Sequence, residues 1–437
     1  MKRIAIIGGG LTGLVAAREL VREGYEVTVY EAGMEVGGLA ACFSMCGEPL
    51  EKAYHHLFRT DTDILQLVDE LGIGRYLEWK KSSVAIRRDG KLWPFMSPVD
   101  LLRFSPCSFV GRIRLGLVAL YLKKTKKWRK FVGHTAWEWM RTYCGESATT
   151  AVWGPLLRGK FSASADKVSM AWLWARLHVR ANSREPSGGG ERLGYFSGGF
   201  VRIADALAKE LEACGTSIFL STPIRSLGNN GSAPTVDVGT GPIAFDAVLF
   251  TGSNRVFSRI IPQSSELADY RARLTEIDYL AAACLVFATD QDLSPYYWIN
   301  INEDDAPFLV LIQHTNLVDS GAYGGKNIYY IGAYFSESDY RYASTESELK
   351  SLWFSYLKTI FPKFDEQRIS ECKLFSFRDA QHVVDTNYAE KRLPYESPVP
   401  GLFLANFTQI FPEDRGTNFA VREGKNVAAV IASSLGR

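Results

Sequence analysis

The residues best suited to chemistry form a glycine-rich turn near the start of the chain. An apolar run, Ile4 to Ile7, leads directly into Gly8, Gly10 and Gly13, and a segment with helical spacing of apolar residues follows. In such a turn the first glycine permits a tight bend after a strand, the second lets the backbone approach a diphosphate, and the third lets the helix pack closely. The N-terminus of that helix offers unpaired N–H groups and partial positive charge. The pattern therefore predicts a diphosphate site.

An acidic residue follows at the distance that a dinucleotide site requires. The strand-like stretch Glu26 to Tyr30 ends at Glu31, which lies 18 residues after Gly13 and can accept hydrogen bonds from a ribose. A lone Gly-x-Gly-x-x-Gly is weak evidence, but here strand, glycines, helix and acid agree. We therefore predict a dinucleotide-binding fold in which the three glycines and Glu31 bind the cofactor.

A second pair of glycines indicates which dinucleotide binds. The stretch from Glu31 to Leu39 contains Gly37 and Gly38, and it resembles the FAD-dependent superfamily of amine oxidases, protoporphyrinogen oxidases, phytoene desaturases and UDP-galactopyranose mutases. In that superfamily the pair lets a second backbone segment close over the FAD diphosphate, so the resemblance implies that Gly37 and Gly38 bind FAD. Relatives often carry Arg after the pair, whereas this chain has Leu39. One phosphate partner is therefore replaced or missing.

The resemblance extends to the middle and the end of the chain. Ser221 to Leu227 looks like the strand whose central apolar residue, here Ile224, meets the adenine. Gly401 to Asn406 resembles the last flavin-binding strand and implies that a helix begins beside the flavin soon afterwards. The residues expected at that helix start are Gly416, Thr417 and Asn418. A helix N-terminus at this place stabilises negative charge in the reduced ring.

The chain departs from the superfamily pattern at an acidic position. The usual Ala-Gly-Asp is replaced by Ala405-Asn406-Phe407. Glu413, Asp414 and Arg415 follow closely and are the candidates to take over the role of that Asp. The alternative for this segment is a solvated turn.

The segment Lys52 to Thr60 contains the residues predicted to face the reacting part of the site. It resembles the mutase segment in which a His and an apolar-aromatic pair border the flavin, with His56 and Phe58 at the matching positions and Arg59 in place of a second His. A histidine with a near-neutral pKa can donate to the flavin or carry a substrate proton. His56 and Arg59 are therefore the catalytic candidates. The alternative is that His55 and His56 are ordinary packed residues satisfied by the backbone.

The composition of the chain limits the classes of protein to which it can belong. With 437 residues, 46% apolar and 22% charged, the chain is typical of a globular protein of two domains. A net charge of +2 provides no argument for a nucleic-acid partner. Seven cysteines without a C-x-x-C pair argue against a metal site and against a disulfide framework, and favour a reducing, cytoplasmic compartment. No apolar stretch reaches the roughly 18 residues that span a bilayer.

We predict an α/β fold with two domains. A discontinuous, Rossmann-like FAD-binding domain is expected from residues 1–75, 191–255 and 395–437. A substrate domain with a mixed β-sheet and helices is expected from residues 76–190 and 256–394, of which 76–190 is mainly helical. The polar, glycine-rich stretch Ser183 to Glu191 predicts a loop or the edge of a lid.

Two further segments allow alternative interpretations. The apolar run Leu115 to Leu122 is followed by a basic stretch that ends at Lys130. A basic, aromatic-containing helix of this kind can lie on an anionic membrane, so residues 115–130 predict peripheral contact at the cytoplasmic face, with a charged surface helix as the alternative. Arg176 and Arg180 share a run with two tryptophans and can bind a phosphate or carboxylate, although the pattern favours a surface helix.

The resemblance supplies the expected reaction. It implies an FAD-dependent oxidoreductase that removes a hydride from a C–N or C–C bond of a small apolar, lipid-like or amine substrate. Because no second Gly-x-Gly-x-x-Gly follows a strand, electrons are expected to pass to oxygen, a quinone or another carrier. One alternative is a mutase-like, non-redox flavoenzyme acting on a sugar nucleotide or glycosyl lipid. Another is a binding protein of this fold for lipidated partners.

Overall fold

The glycine-rich turn joins the first strand and the first helix of a parallel sheet. A computed structural model describes residues 1–184, 190–231 and 233–436, so residues 185–189 of the predicted loop lie outside the described residues. The strands of this sheet, in spatial order, are Leu402–Leu404, Ala247–Phe250, Arg3–Ile7, Glu26–Tyr30 and Ser217–Phe219, and all neighbours are parallel. The sheet therefore draws on strands from the start, the middle and the end of the chain.

Helices cover the parallel sheet and explain its apolar strands. Leu11–Arg22 packs against the final helix, Thr417–Leu435, and against Val201–Ala213. Ile4 and Ile6 lie in the same buried cluster as apolar residues of these helices. Strands of a parallel sheet are buried on both faces, which is why the run Ile4 to Ile7 is apolar throughout.

A second sheet in the structure contains seven strands. Its strands, in spatial order, are Ile369–His382, Tyr279–Thr289, Asn327–Phe335, Val310–Gln313, Trp298–Ile301, Val84–Arg88 and Lys91–Pro94. Trp298–Ile301 and Val84–Arg88 pair in parallel, and the other neighbours are antiparallel. The predicted α/β fold, with a parallel sheet and a mixed-sheet domain, is confirmed. The exact domain boundaries stay a prediction.

Both faces of the seven-stranded sheet are covered. Along Tyr279–Thr289, Leu285 and Phe287 pack in one buried cluster with the helix Glu346–Ile360. Val286 points the other way, into the buried cluster that contains Ile4 and Ile6 of the parallel sheet. Because side chains alternate along a strand, the two-sided burial requires an almost uninterrupted apolar sequence.

The chain between the strand Lys91–Pro94 and residue 184 is mainly helical. Its helices are Pro98–Arg103, Phe109–Lys124, Ala136–Cys144, Glu146–Ala148, Gly154–Phe161 and Met170–Asn182. Ser97, Ser108, Thr135 and Ser169 each precede one of them and accept a backbone N–H from its first turn. Such caps satisfy donors that a helix start leaves unpaired. Among the described residues, no helix combines the length and apolar character needed to cross a bilayer.

The remaining elements are short and mostly connect the two sheets. The strands are Cys42–Met45, Glu48–Glu51, Leu77–Lys81, Arg192–Phe196, Ser226–Asn229, Pro234–Asp237 and Pro242–Ala244. The helices are Thr62–Glu70, Asn254–Ile260, Ala268–Thr275 and Tyr388–Lys391. One strand prediction is wrong in part: of the stretch Ser221 to Leu227, only the last two residues join a strand, which begins at Ser226.

Candidate functional site

The diphosphate turn has the tight backbone that its glycines predict. Gly8 has a φ of 112°, and a Cβ on it would lie 2.2 Å from Thr251 Oγ1. A Cβ on Gly13 would lie 2.0 Å from the Gly8 carbonyl oxygen. A side chain on Gly8 would clash with Thr251, and one on Gly13 would push the first helix away from the turn. Gly10 is the N-cap of that helix, and no side chain caps it.

The second glycine pair meets this turn. The Gly37 N–H donates to the Gly9 carbonyl oxygen at 2.8 Å, and a Cβ on Gly38 would lie 3.1 Å from Gly10 Cα. Gly37 and Gly38 have φ values of 110° and 59°, a region that favours glycine. The two backbone segments therefore approach each other where the sequence predicts that they close over a diphosphate.

Glu31 organises the loops beside the turn. Its Oε2 accepts the Gly9 N–H at 2.6 Å, and its Oε1 accepts the Gly33 N–H at 2.6 Å. A carboxylate oxygen has two lone pairs, so each oxygen can still accept a ribose hydroxyl. The Thr222 N–H donates to the Glu31 carbonyl oxygen, which brings the segment of Ile224 alongside. Ile224 is half-buried in irregular backbone just before the strand that starts at Ser226.

The start of the final helix forms another wall of the site. Gly416 is its N-cap, no side chain caps it, and Gly416 and Thr417 line the central cavity. Asn418 also lines the cavity, but its side-chain oxygen accepts the Ile64 N–H at 3.1 Å. That bond caps the neighbouring helix Thr62–Glu70, so Asn418 has a structural role as well.

Hydrogen bonds show the roles of Asn406 and of the three residues that were candidates to replace the superfamily Asp. Asn406 is buried, and its amide donates to the Gly252 carbonyl oxygen at 2.7 Å and to Asn254 Oδ1 at 2.9 Å. Among the three candidates that follow, Asp414 and Arg415 line the cavity. Glu413 instead pairs with Arg422 at 3.3 Å. Asp414 is therefore the acidic side chain at the cavity beside the final helix.

These walls enclose one cavity of about 270 Å³ between the final helix and the seven-stranded sheet. Leu39 and Gly416 line it on the FAD-binding side, and Ala283, Gly332 and Trp298 line it on the sheet side. Gly332 leaves room for the Tyr54 ring beside the cavity, since a Cβ on Gly332 would lie 3.0 Å from Tyr54 Cε1. Leu39 thus faces the cavity in the position where relatives often carry Arg.

The architecture fits FAD. A Cβ on Gly10 would find only Gly38 Cα within 4 Å, so the space beside the helix start is open. Unpaired N–H groups of the first helix suit a diphosphate, and Glu31 suits a ribose. The flavin would lie towards Gly416 and Thr417, where the N-terminus of the final helix favours electron density on its ring.

His55 and His56 both line the cavity, but neither titrates near neutral pH. Burial lowers the pKa of His56 to about 3 and that of His55 to about 4. Both rings are therefore uncharged at neutral pH, because burial disfavours the charged form. The His55 Nδ1–H donates to the Ala53 carbonyl oxygen at 2.6 Å, which leaves Nε2 as an acceptor.

His56 is held in an aromatic setting. Its Nδ1 lies 3.3 Å from the Tyr297 hydroxyl oxygen, and its ring meets Phe58 and Trp298 edge-on, with centroids 5.1 Å and 5.8 Å away. A neutral imidazole in this position can donate or accept one hydrogen bond without adding charge. Arg59 lies outside: its side chain is exposed, stacks over Trp79, and is absent from the cavity wall.

The interior also contains charged residues that local motifs do not reveal. Lys160 is only 5% exposed and donates to Asp414 Oδ2 at 2.8 Å. Arg176 donates to the same oxygen at 2.7 Å and lines the cavity. The helix Met170–Asn182 is thus not the surface helix that its pattern favoured, since Trp172 is fully buried. Its interior position follows from packing with residues distant in sequence.

The neighbouring Arg180 is neutralised within the protein. Its Nε and Nη2 donate to the two carboxylate oxygens of Glu191 at 2.8 Å and 2.9 Å. Glu191 is fully buried, so this two-point pair is shielded from solvent. Arg180 lines the cavity as a paired cation.

Several known proteins are similar to this chain in sequence or in fold. The Mycobacterium tuberculosis protein AofH, proposed to be a flavin-containing monoamine oxidase, is 27% identical over 271 residues, 58% of each chain. The matched region thus spans little more than half of that relative. A proposed protoporphyrinogen oxidase from Exiguobacterium sp. 255-15 has a TM-score of 0.79 at 19% identity, covering 98% of both chains. Reduced UDP-galactopyranose mutase has a TM-score of 0.75 at 15% identity, covering 100% of this chain and 98% of that one.

The family assignment rests on nearly the whole chain. The sequence pattern of the flavin-containing amine oxidoreductases matches residues 11–432. This confirms the resemblance seen in the sequence, and with it the expectation of an FAD-dependent oxidoreductase enzyme. The chain belongs to the flavin-containing amine oxidoreductase family, whose cofactor is FAD.

Proposed function

We propose that this enzyme removes a hydride from a C–N or C–C bond of a small molecule with an apolar body. The observation that carries the proposal is the single cavity that joins Gly416 and Thr417 on the FAD side to Ala283, Gly332 and Trp298 on the substrate side. FAD bound there would supply the hydride acceptor. Family membership and an intact diphosphate turn favour this enzyme over the alternative of a binding protein for lipidated partners.

The chain's own residues would hold and shield the substrate. Phe58 and Trp298 give the cavity apolar walls that exclude water, and His56 with Tyr297 offers neutral hydrogen-bonding groups. His55 Nε2 is an acceptor that can take a proton during the reaction, although its low pKa makes it a weak base at neutral pH. Arg59 has no part in this proposal because its side chain lies outside the cavity.

The test is anaerobic reduction of the FAD-loaded enzyme by candidate substrates. We expect at least one compound among amines, porphyrinogens and prenyl lipids to bleach the oxidised-flavin absorption band in proportion to its concentration. Admitting air or adding a quinone should restore the band. If the enzyme turns over a substrate only after prior chemical reduction, with no net electron transfer, hydride removal is not its reaction.

That second outcome would support a mutase-like reaction. The observation in its favour is the set of cationic side chains that line the same cavity as His56, which suits the diphosphate of a sugar nucleotide. Isomerisation of a sugar nucleotide by the dithionite-reduced enzyme, and not by the oxidised enzyme, would identify it. The structural similarity to the mutase concerns the fold alone.

We also propose that the enzyme acts at the cytoplasmic face of an anionic membrane. The helix Phe109–Lys124 exposes Phe109, Val110 and Leu117, each more than 60% accessible. Basic residues follow at its C-terminal end, including Lys123 and Lys124. An exposed apolar stripe beside clustered lysines is typical of a helix that lies in a bilayer interface.

The same helix touches the wall of the cavity. The His178 Nδ1–H donates to the Leu122 carbonyl oxygen at 3.2 Å, and the Trp174 indole N–H donates to the Thr125 carbonyl oxygen at 3.1 Å. Both side chains belong to Met170–Asn182, whose other side faces the cavity through Arg176. This contact favours a lipid-like substrate that enters from the membrane.

A further inference from the structure

We propose that the cavity binds an acidic group of its substrate, a carboxylate or a phosphate, at the cationic side chains around Asp414. We call Lys160, Arg176 and Arg415, with Asp414, the cationic cluster. The inference rests on the proposed function, because it concerns the substrate that enters the same cavity. All four side chains line that cavity.

The cluster is built from three distant segments. Lys160 Nζ and Arg176 Nη1 donate to the same oxygen of Asp414, at 2.8 Å and 2.7 Å. The Arg415 guanidinium donates to Gln381 Oε1 at 3.0 Å and to the Tyr334 hydroxyl oxygen at 3.1 Å, neither of which is a carboxylate. One carboxylate is thus shared by two cations, and a third cation lies beside it.

The neighbouring carboxylates that the structure describes do not restore the balance. Glu191 is paired with Arg180, and Glu413 is paired with Arg422. Asp61 is the other acidic residue of the described cavity wall. It accepts the Phe58 N–H at 2.8 Å, and burial raises its pKa to about 7, so its charge is incomplete at neutral pH.

The ionisable groups around the cluster respond to its positive charge. Burial alone would raise the pKa of Tyr334, yet Arg415 and then Lys160 outweigh burial and lower it. The pKa of Asp414 is held well below its usual range: burial opposes this, but Lys160 and Arg176 prevail. The open N-terminus of the final helix at Gly416 adds partial positive charge.

Excess positive charge is costly around a buried side chain such as Lys160 unless an anion compensates it. Arg176 provides the place for one, because it donates one of its five N–H groups to Asp414 and its side chain is 32% exposed at the cavity. A guanidinium binds a carboxylate or a phosphate through two parallel hydrogen bonds. A protonated amine would instead meet like charge, so the cluster selects acidic substrates over simple amines.

The experiment measures ligand binding by the FAD-loaded, oxidised enzyme through changes in the flavin absorption spectrum. The probes share one ring: benzoate, phenyl phosphate, benzyl alcohol and benzylamine. We expect benzoate or phenyl phosphate to bind at least about tenfold more tightly than benzylamine or benzyl alcohol. Whichever anion binds more tightly identifies the carboxylate or the phosphate as the group that the cluster accepts.

Variants locate the binding site. Arg176→Gln should weaken binding of the preferred anion about tenfold, whereas Arg176→Lys, which keeps the charge but loses the two-point hydrogen bonding, should weaken it less. Arg158→Gln is the matched control, because Arg158 is an exposed arginine of a nearby helix that pairs with Asp304 at 2.7 Å. It should leave anion binding unchanged.

Equal affinity for all four probes, or a preference for benzylamine, would overturn the inference. So would an Arg176→Gln variant that shifts the flavin reduction potential but leaves anion binding intact, since the cluster would then serve the reduced flavin. A different result would contradict the proposed function alone: anions bind as expected, but no substrate bleaches the flavin. If substrates bleach the flavin and the probes show no preference for an anion, only the present inference fails.

Discussion

Glu51 is a buried acid that shapes the turn before the helix Val201–Ala213. Its Oε1 accepts the Phe200 N–H at 2.6 Å, and its Oε2 accepts the Tyr195 hydroxyl at 2.8 Å. Burial outweighs these bonds and raises the pKa of Glu51 to about 7. The residue therefore makes stability depend on pH in a range where an exposed glutamate would be fully ionised.

We predict that Glu51→Gln makes stability less dependent on pH. The folded pKa lies above the unfolded value, so the contribution of Glu51 is fully present below about pH 4.5 and is lost as pH rises through about 7. The contribution of Glu51 to the free energy of unfolding should thus fall across this range by up to about 1.4 kcal/mol per pH unit. Urea unfolding of the FAD-loaded proteins at pH 5, 6, 7 and 8 measures it.

Glu212, an exposed glutamate of the helix Val201–Ala213, supplies the control for that measurement. Glu212→Gln should follow the wild type at every pH, whereas Glu51→Gln should flatten the dependence. Parallel curves for wild type and Glu51→Gln would show that Glu51 is ionised in the folded protein across the range.

At the scale of elements, the helix Phe109–Lys124 carries a prediction of its own. Phe109, Ile113, Leu117 and Leu120 recur every three or four residues and are exposed, so they form one apolar face. The double change Phe109→Ser and Leu117→Ser should weaken co-sedimentation with phosphatidylserine vesicles about tenfold, because each removes apolar surface from the bilayer contact. Val256→Ser, at an exposed apolar site elsewhere, is the control.

The basic end of the same helix should add an electrostatic part. Neutralising Lys123, Lys124, Lys126 and Lys127 to Gln should reduce binding to phosphatidylserine vesicles and leave the weaker binding to neutral vesicles unchanged. If all of these variants co-sediment like the wild type, the exposed face has another use.

Helices that are defined by local sequence patterns could be predicted, whereas the start of a strand next to a proline could not. Leu11–Arg22 follows the glycine turn, and Thr417–Leu435 begins among the expected residues Gly416, Thr417 and Asn418, because apolar spacing and glycines mark helix ends. The strand expected from Ser221 begins only at Ser226. Pro223 explains the difference, since proline lacks the N–H that a strand ladder needs.

At the scale of the whole molecule, the two halves of the site differ in how far the sequence reveals them. The diphosphate turn could be predicted because Gly8, Gly10 and Gly13 act within one short stretch. Lys160 and Arg176 could not be assigned to Asp414, because more than 200 residues separate each of them from it and only tertiary packing brings them together. Their one signal in the sequence was a run of Trp and Arg, which also suits a surface helix.

The central claim is that FAD lies in the open space beside Gly10, and one measurement tests it directly. Gly10 has a φ of −73°, and a Cβ there would meet only Gly38 Cα at 3.9 Å, so Gly10→Glu can fold while its carboxylate fills the diphosphate site. Purified wild type and the exposed control Ser433→Glu should each contain about one FAD per chain, whereas Gly10→Glu should contain none and keep its circular dichroism spectrum. Full FAD occupancy in a folded Gly10→Glu protein would contradict the account.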